Sequence, residues 1–179
     1  GYASDRLLDK LEELGLTVEA ILLTHGHFDH VGAVRELAAE TGCDVYIHAA
    51  EADLPPMMTA GPLYYTHTYA EGDTISPIEG MELTVLHTPG HTPGHVSLYE
   101  PEAGVLFTGD TLFRESIGRT DLPGGDYSWI MNSILEKIIP LGDDVKVYPG
   151  HGETTDIGHE SMYNPFVVEV MNQEVNYKN

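Results

Sequence analysis

The sequence predicts an α/β fold. Two observations carry the prediction. Short apolar runs that read as strands alternate with segments of helical periodicity along the chain, and the histidines and aspartates fall just after the strands, in loops that a rigid scaffold can present. Its 179 residues, 41 % of them hydrophobic, fit one domain over 1–179 with a sizeable core.

Residues 4–14 read as a helix: Ser4 stands at the capping position, Leu7, Leu11 and Leu14 share a face, and Gly15 stops it. Ala20 to Thr24 is a short apolar run expected as a buried strand, and Val31 to Glu40 is a second helix with Gly42 past its end. A strand follows at Asp44 to His48. Residues 55–80, rich in Pro, Gly, Tyr and Thr, read as loop with little regular structure. Strands are expected at Glu82 to Leu86, His95 to Tyr99 and Gly104 to Thr108, then a Gly-containing loop over 111–125. Asp126 caps a helix running to about Ile138 that turns Trp129, Ile130 and Ile134 inward. Val145 to Tyr148 is the last strand, and His159 to Asn164 a short terminal helix.

Charge and cysteine usage exclude several function classes. Eight Lys and Arg stand against 29 Asp and Glu, a formal net charge of −21, so phosphate-rich partners such as nucleic acid or an anionic membrane surface would be repelled. Most of that charge reads as a solubilising surface. No apolar run approaches bilayer length and no basic-then-apolar leader precedes the first helix, which gives the expectation of a cytoplasmic protein. The single cysteine, Cys43, leaves no internal disulfide framework and no Cys-rich zinc module, so a metal site here must be built from His and carboxylate.

Four clusters supply such a site. The first, Thr24-His25-Gly26-His27-Phe28-Asp29-His30, follows a strand and enters a helix. An H-x-H pair in a tight turn aims two imidazoles at one ion, and Asp29 and His30 point to a second position. At this chain's own residue frequencies the H-x-H-x-D-H pattern arises by chance with a probability on the order of two in a thousand. The second cluster places His87, His91 and His95 four residues apart in HTPGHTPGH. Pro89 and Gly90 force a turn with His91 at its tip, the preferred ligand, while His87 and His95 read as hydrogen-bonded support or packing. The third is Asp110 in Thr108-Gly109-Asp110-Thr111, where a carboxylate can bridge two cations; the fourth is His151, flanked by Gly150 and Gly152. Singly the last two are weak signals, and their order after the first cluster strengthens them.

With these residues in hand, the chain resembles the metallo-β-lactamase-fold hydrolases: H-x-H-x-D-H, then G-H-T, then G-D, then G-H, in that order. The stretches TPGHTPGHVSLY, LFTGDTLFRESIGRTDLPGGD and YPGHGETTDIGHE are similar to the single-domain, glyoxalase II-like subgroup, thioesterases of the hydroxyacylglutathione hydrolase type. The resemblance implies an αββα sandwich with metals at one edge of two sheets. It implies that His25, His27 and His91 hold one metal, that Asp29, His30 and His151 hold the other, and that Asp110 bridges them. The implied cofactor is a pair of zinc ions, though iron and manganese accept the same donors. Family members open with about three strands before the first helix, which are lacking here; Gly1 falls near the glycine of the turn that ends them. An incomplete sheet with exposed apolar surface is therefore expected.

The ligand set points to hydrolysis by a metal-activated water, and the resemblance implies a small-molecule thioester such as S-lactoylglutathione as the substrate. Two cations sharing a water lower its pKa enough to give hydroxide near neutral pH, and a thiolate leaves without a dedicated general acid. Asp29 is expected to orient the nucleophile, with Asp110 as the other carboxylate of the chemistry. Arg119 is the candidate for a substrate carboxylate, set against a plain ion pair with Asp121. Tyr64, Tyr65, His67 and Tyr69 are candidates to line the site, with surface packing the favoured account. The competing readings are a mononuclear iron persulfide dioxygenase, a lactonase or β-lactamase, and an inactive metal-binding fragment.

Overall fold

A computed structural model describes residues 3–177, with side chains described through residue 172; the expectation attached to Gly1 lies outside the described residues. Helix α1 (Ser4–Leu14) leads into strand β1 (Ala20–Leu22), a helical turn α2 (Phe28–Val31), helix α3 (Val34–Thr41) and strand β2 (Asp44–His48). A 3-10 turn (Ala49–Asp53), a short helix α4 (Pro56–Thr59), and strands β3 (His67–Tyr69) and β4 (Thr74–Ile75) follow. Then come β5 (Leu83–His87), β6 (Val96–Glu100), β7 (Val105–Gly109) and the hairpin of β8 (Leu112–Phe113) with β9 (Ser116–Ile117). Helix α5 (Tyr127–Ser133) continues as a π turn (Ile134–Ile138) and a 3-10 turn (Ile139–Leu141). Strands β10 (Lys146–Pro149) and β11 (Thr155–Asp156), then helices α6 (Ile157–Tyr163) and α7 (Pro165–Tyr177), complete the chain.

Apart from the two-stranded β8–β9 hairpin, the strands form two facing sheets. The smaller is parallel, in the order β1-β2-β3; the larger runs β11-β10-β7-β6-β5-β4, antiparallel except where β10 pairs with β7. Alternation along β2 explains how the small sheet is covered on both faces. Val45 and Ile47 point outward to join Leu23, Val34 and Ala38 under α3, whereas Tyr46 points inward. Between the sheets, Tyr69, Val85, Val96 and Leu98 are buried, with Leu22, Tyr46 and Ile75 packed around them. On the far face of the large sheet, Leu106 and Val147 meet Ile130, Ile134, Ile138, Ile157 and Val167 from the C-terminal helices. The order of layers is helix, sheet, sheet, helix, the αββα sandwich.

The three-stranded sheet does not span the six-stranded one. Among the described residues β1 pairs on one side only. Beside it an apolar cleft is lined by Leu22, Met81, Leu83, Leu98, Phe107 and Tyr148. Phe107 and Tyr148 lie against each other there, ring centroids 5.6 Å apart, and both are exposed. Among the described residues this edge of β1 is open and the surface beside it is apolar. No helix among the described residues is long and apolar enough to cross a membrane.

Several expectations are corrected. Residues 55–80 hold α4, β3 and β4, because the Thr- and Tyr-bearing segment at 67–69 completes the small sheet by pairing along β2; tertiary pairing outweighs the turn-rich composition. The expected 31–40 helix begins earlier, as the turn α2, and is interrupted at Gly32 and Ala33. The loop after Asp110 contains the β8–β9 hairpin. Trp129 is 50 % exposed, since the inward face of its helix is set by Ile130, Ile134 and Ile138 at a four-residue period, one position away. Ser4 is a buried helical residue hydrogen-bonded to Glu36, not a cap, and Leu7 and Leu14 are exposed. The expected helix at 159–164 is α6, two residues earlier at its start, and a further helix, α7, follows it from Pro165. Asp126 does cap α5, accepting the N–H of Trp129 at 2.9 Å.

Candidate metal centre

Four loops, following β1, β5, β7 and β10, converge at one edge of the sandwich. The first is short because α2 starts within it: His27 is extended, and the N–H groups of His30 and Val31 bond back to its carbonyl. That places His25 and His27 on the strand side of the bend and Asp29 and His30 on the first turn. His91 comes from the turn after β5, Asp110 from the end of β7, and His151 from the turn after β10.

All seven residues singled out in the sequence meet here. Three overlapping groups each place one donor atom per residue within 4.8 Å of the others: His25, His27 and His91; His25, His30 and Asp110; and Asp29, His30 and His151. Asp110 faces both ends. Its Oδ1 lies 3.4 Å from His30 Nε2, and its Oδ2 lies 3.6 Å from His91 Nε2 and 3.3 Å from His151 Nε2. His151 Nε2 is also 3.2 Å from Asp29 Oδ2. Gly150 makes the approach possible, since a Cβ there would lie 2.2 Å from Asp110 Oδ1.

The donor set fits divalent cations. His25 Nε2, His27 Nε2 and Asp110 Oδ1 are buried without a hydrogen-bond partner, an unfavourable state that a cation would relieve. Three of the imidazoles, His25, His27 and His91, are held neutral, as ligation requires. Burial, then the surrounding histidines, pushes His25 well below the usual range; burial and the adjacent His91 lower His27 to about 4; burial also lowers His91. Burial alone would raise Asp110, but His30, His91 and His151 beside it outweigh that and hold it below the ordinary aspartate value. Neighbouring groups set the tautomers. His91 Nδ1 donates to the carbonyl of Arg119 at 2.8 Å, leaving Nε2 its lone pair, and His25 Nδ1 lies 3.1 Å from Thr24 Oγ1, leaving Nε2 facing the cluster.

The remaining candidates fall outside the cluster. His95 is fully buried behind it, and His87 bonds to the Pro93 carbonyl at 2.8 Å and stacks on His48. Arg119 is exposed, its guanidinium in a two-point pair with Asp121 at 2.7 and 2.8 Å. Tyr69 is buried with its hydroxyl on the Leu23 carbonyl, Tyr64 packs against the core under α3 with Arg35 over its ring, and His67 stacks on Tyr46, so these three pack and do not line the centre. Sequence reasoning did not single out Glu51, a fully buried carboxylate behind the first two loops.

Fold and site together define a two-sheet sandwich with a histidine- and carboxylate-rich metal centre at one edge. The chain belongs to the metallo-beta-lactamase superfamily, whose model matches residues 1–151. By that membership it is a metallo-hydrolase. It is 39 % identical to the hydroxyacylglutathione hydrolase GloC of Haemophilus influenzae, over 93 % of this chain and 84 % of that protein. Among solved structures, BLEG-1 B3 metallo-beta-lactamase superposes with a TM-score of 0.84 at 40 % identity, covering 92 % of this chain and 84 % of that one. TTHA1623 in a di-iron-bound form superposes with a TM-score of 0.77, also at 40 % identity, covering 90 % and 84 %.

Proposed function

We propose that this chain is a dinuclear metal-dependent thioesterase, acting on a small-molecule thioester such as S-lactoylglutathione in the cytoplasm. The observation that carries the reading is the position of Asp110, whose two carboxylate oxygens face histidines of both groups. His25, His27 and His91 would hold one cation, Asp29, His30 and His151 the other, with Asp110 between them. Zinc is the cation proposed, and the di-iron form of TTHA1623 makes iron the alternative to be measured.

When bound, a pair of divalent cations supplies Lewis acidity toward a carbonyl and acidifies water. The chain's own residues do the rest. Asp29, partly exposed at the mouth of the site and 3.2 Å from His151, is placed to accept a hydrogen bond from an incoming water and so orient it. The buried loops of His25, His27 and His91 exclude bulk solvent from one side. A thiolate leaves without protonation, so the reaction asks no general acid of the chain. The carboxylate of a substrate would be met by Arg119 after release of Asp121. The hydroxyacylglutathione hydrolase activity named for the Haemophilus influenzae relative supports the choice of substrate class.

Elemental analysis and turnover of S-D-lactoylglutathione test the reading together. Two metals per chain and hydrolysis, both reduced in His27→Ala, are expected. A folded protein with fewer than one metal per chain would defeat it, and oxygen uptake with a persulfide and one iron per chain would replace it with a dioxygenase.

A further inference from the structure

Behind the ligand cluster one carboxylate is buried between two of the loops that build it. Glu51, in the 3-10 turn after β2, has no exposed surface. Its Oε2 accepts the backbone N–H of Gly26 at 2.6 Å, and its Oε1 accepts that of Gly94 at 2.8 Å. Gly26 lies between His25 and His27, and Gly94 lies between His91 and His95. Each oxygen therefore holds a different loop, and the two loops supply all three members of the His25, His27 and His91 group.

The glycines are shaped to this carboxylate. A Cβ on Gly94 would lie 2.8 Å from Glu51 Oε1 and 2.9 Å from the Glu51 backbone nitrogen; one on Gly26 would lie 3.3 Å from Oε2. A side chain at Gly94 would push the carboxylate off its donor, and one at Gly26 would meet Leu63 first, at 3.0 Å, with the carboxylate close behind. Burying a carboxylate is costly unless it is well hydrogen-bonded, and an apolar side chain would fill the same space without that cost. What an apolar side chain cannot do is grip two main-chain N–H groups 68 residues apart in sequence.

We propose that Glu51 is a positioning residue for the three-histidine end of the centre, fixing the distance between the H-x-H loop and the His91 loop so that their imidazoles are arranged for a cation before it arrives. The proposal rests on the metal reading of the site. Glutamine at this position offers a single oxygen and sets its NH₂ against an N–H donor. Aspartate is one methylene short of spanning both loops.

Cobalt(II) titration of the metal-free chain tests this, with the d–d absorption bands and chelator competition read alongside thermal melting of the metal-free protein. Glu51→Gln and Glu51→Asp are expected to melt cooperatively without metal, to take the first equivalent of cobalt about 10- to 100-fold more weakly than the unmodified chain, and to shift its bands. Unchanged affinity and spectrum in a folded Glu51→Gln would overturn the proposal. So would the failure of both variants to fold without metal, since Glu51 would then serve folding alone. If the unmodified chain takes up no cobalt, the metal reading itself falls, which separates the two failures.

Discussion

The Nε2 atom of His95 accepts the backbone N–H of Asp110 at 2.9 Å. Because a main-chain nitrogen only donates, this bond fixes the tautomer: the proton sits on Nδ1, which faces the hydroxyls of Thr111 and Thr88 at 3.0 and 3.1 Å. The ring has no exposed surface and stacks on His25, and burial together with nearby His91 keeps it neutral well below the usual histidine range. His95 thus connects two loops of the candidate centre without belonging to any of its three donor groups among the described residues.

Replacing it by alanine leaves the Asp110 N–H and two threonine hydroxyls buried without this partner and opens a cavity. His95→Ala is expected to destabilise the metal-free chain by about 3 kcal/mol. It should also lower metal content, because Asp110 loses the bond that holds its main chain. Urea denaturation and elemental analysis of the same preparation check both effects; a stable variant with full metal content would show that Asp110 needs no such support.

His151 offers the opposite test. It is half exposed and arises after β10, away from the buried three-histidine group. His151→Ala should leave His25, His27 and His91 in place, so one equivalent of cation is retained and the second is lost, with little change in the stability of the metal-free chain. Turnover should fall by about 100-fold or more if both ions are needed. Loss of both equivalents would mean that the two halves of the centre bind as one unit.

How far the site was legible follows from the kind of constraint each residue obeys. His25, His27, Asp29 and His30 are readable because they crowd into six positions, and His91, Asp110 and His151 because each follows an apolar strand with a glycine beside it. Glu51 was not readable: its partners are main-chain N–H groups, which every residue but proline carries. The same holds for β3, whose three residues become a strand only by pairing with β2, and for the exposed side of α5, where Trp129 breaks the expectation that large apolar residues turn inward. Local periodicity located most strands to within a residue or two, while the pairing partners came from the tertiary structure.

The pH dependence of the metal-free protein follows from the neutral histidines. His27 is lowered from 6.5 to about 4 by burial and by His91, and His25, His91 and His95 are shifted the same way. Between the two values the unfolded chain binds a proton that the folded chain refuses. Stability is then complete above about pH 6.5 and is lost as pH falls toward 4. His27 adds up to about 1.4 kcal/mol per pH unit to the slope in that window, and the other three histidines act in the same direction. Denaturation midpoints measured from pH 7.5 to 4.5 without metal should fall steadily, and a flat profile would contradict the neutral, buried state of these rings.

Arg119 touches the centre in one way and could serve the substrate in another, and the two separate cleanly. Its carbonyl accepts His91 Nδ1 at 2.8 Å, a bond that survives any change of side chain. Its guanidinium is exposed and held by Asp121. Arg119→Ala should therefore leave metal content unchanged. If the guanidinium recruits a substrate carboxylate, KM rises about tenfold with kcat nearly constant, because the contact is equally strong in ground and transition states. Asp121→Ala frees the same guanidinium and should lower KM or leave it unchanged. A thioester lacking the carboxylate should be indifferent to both changes. Unaltered KM in Arg119→Ala for a carboxylate-bearing thioester would reduce the side chain to a surface ion pair and place substrate recognition elsewhere on the rim.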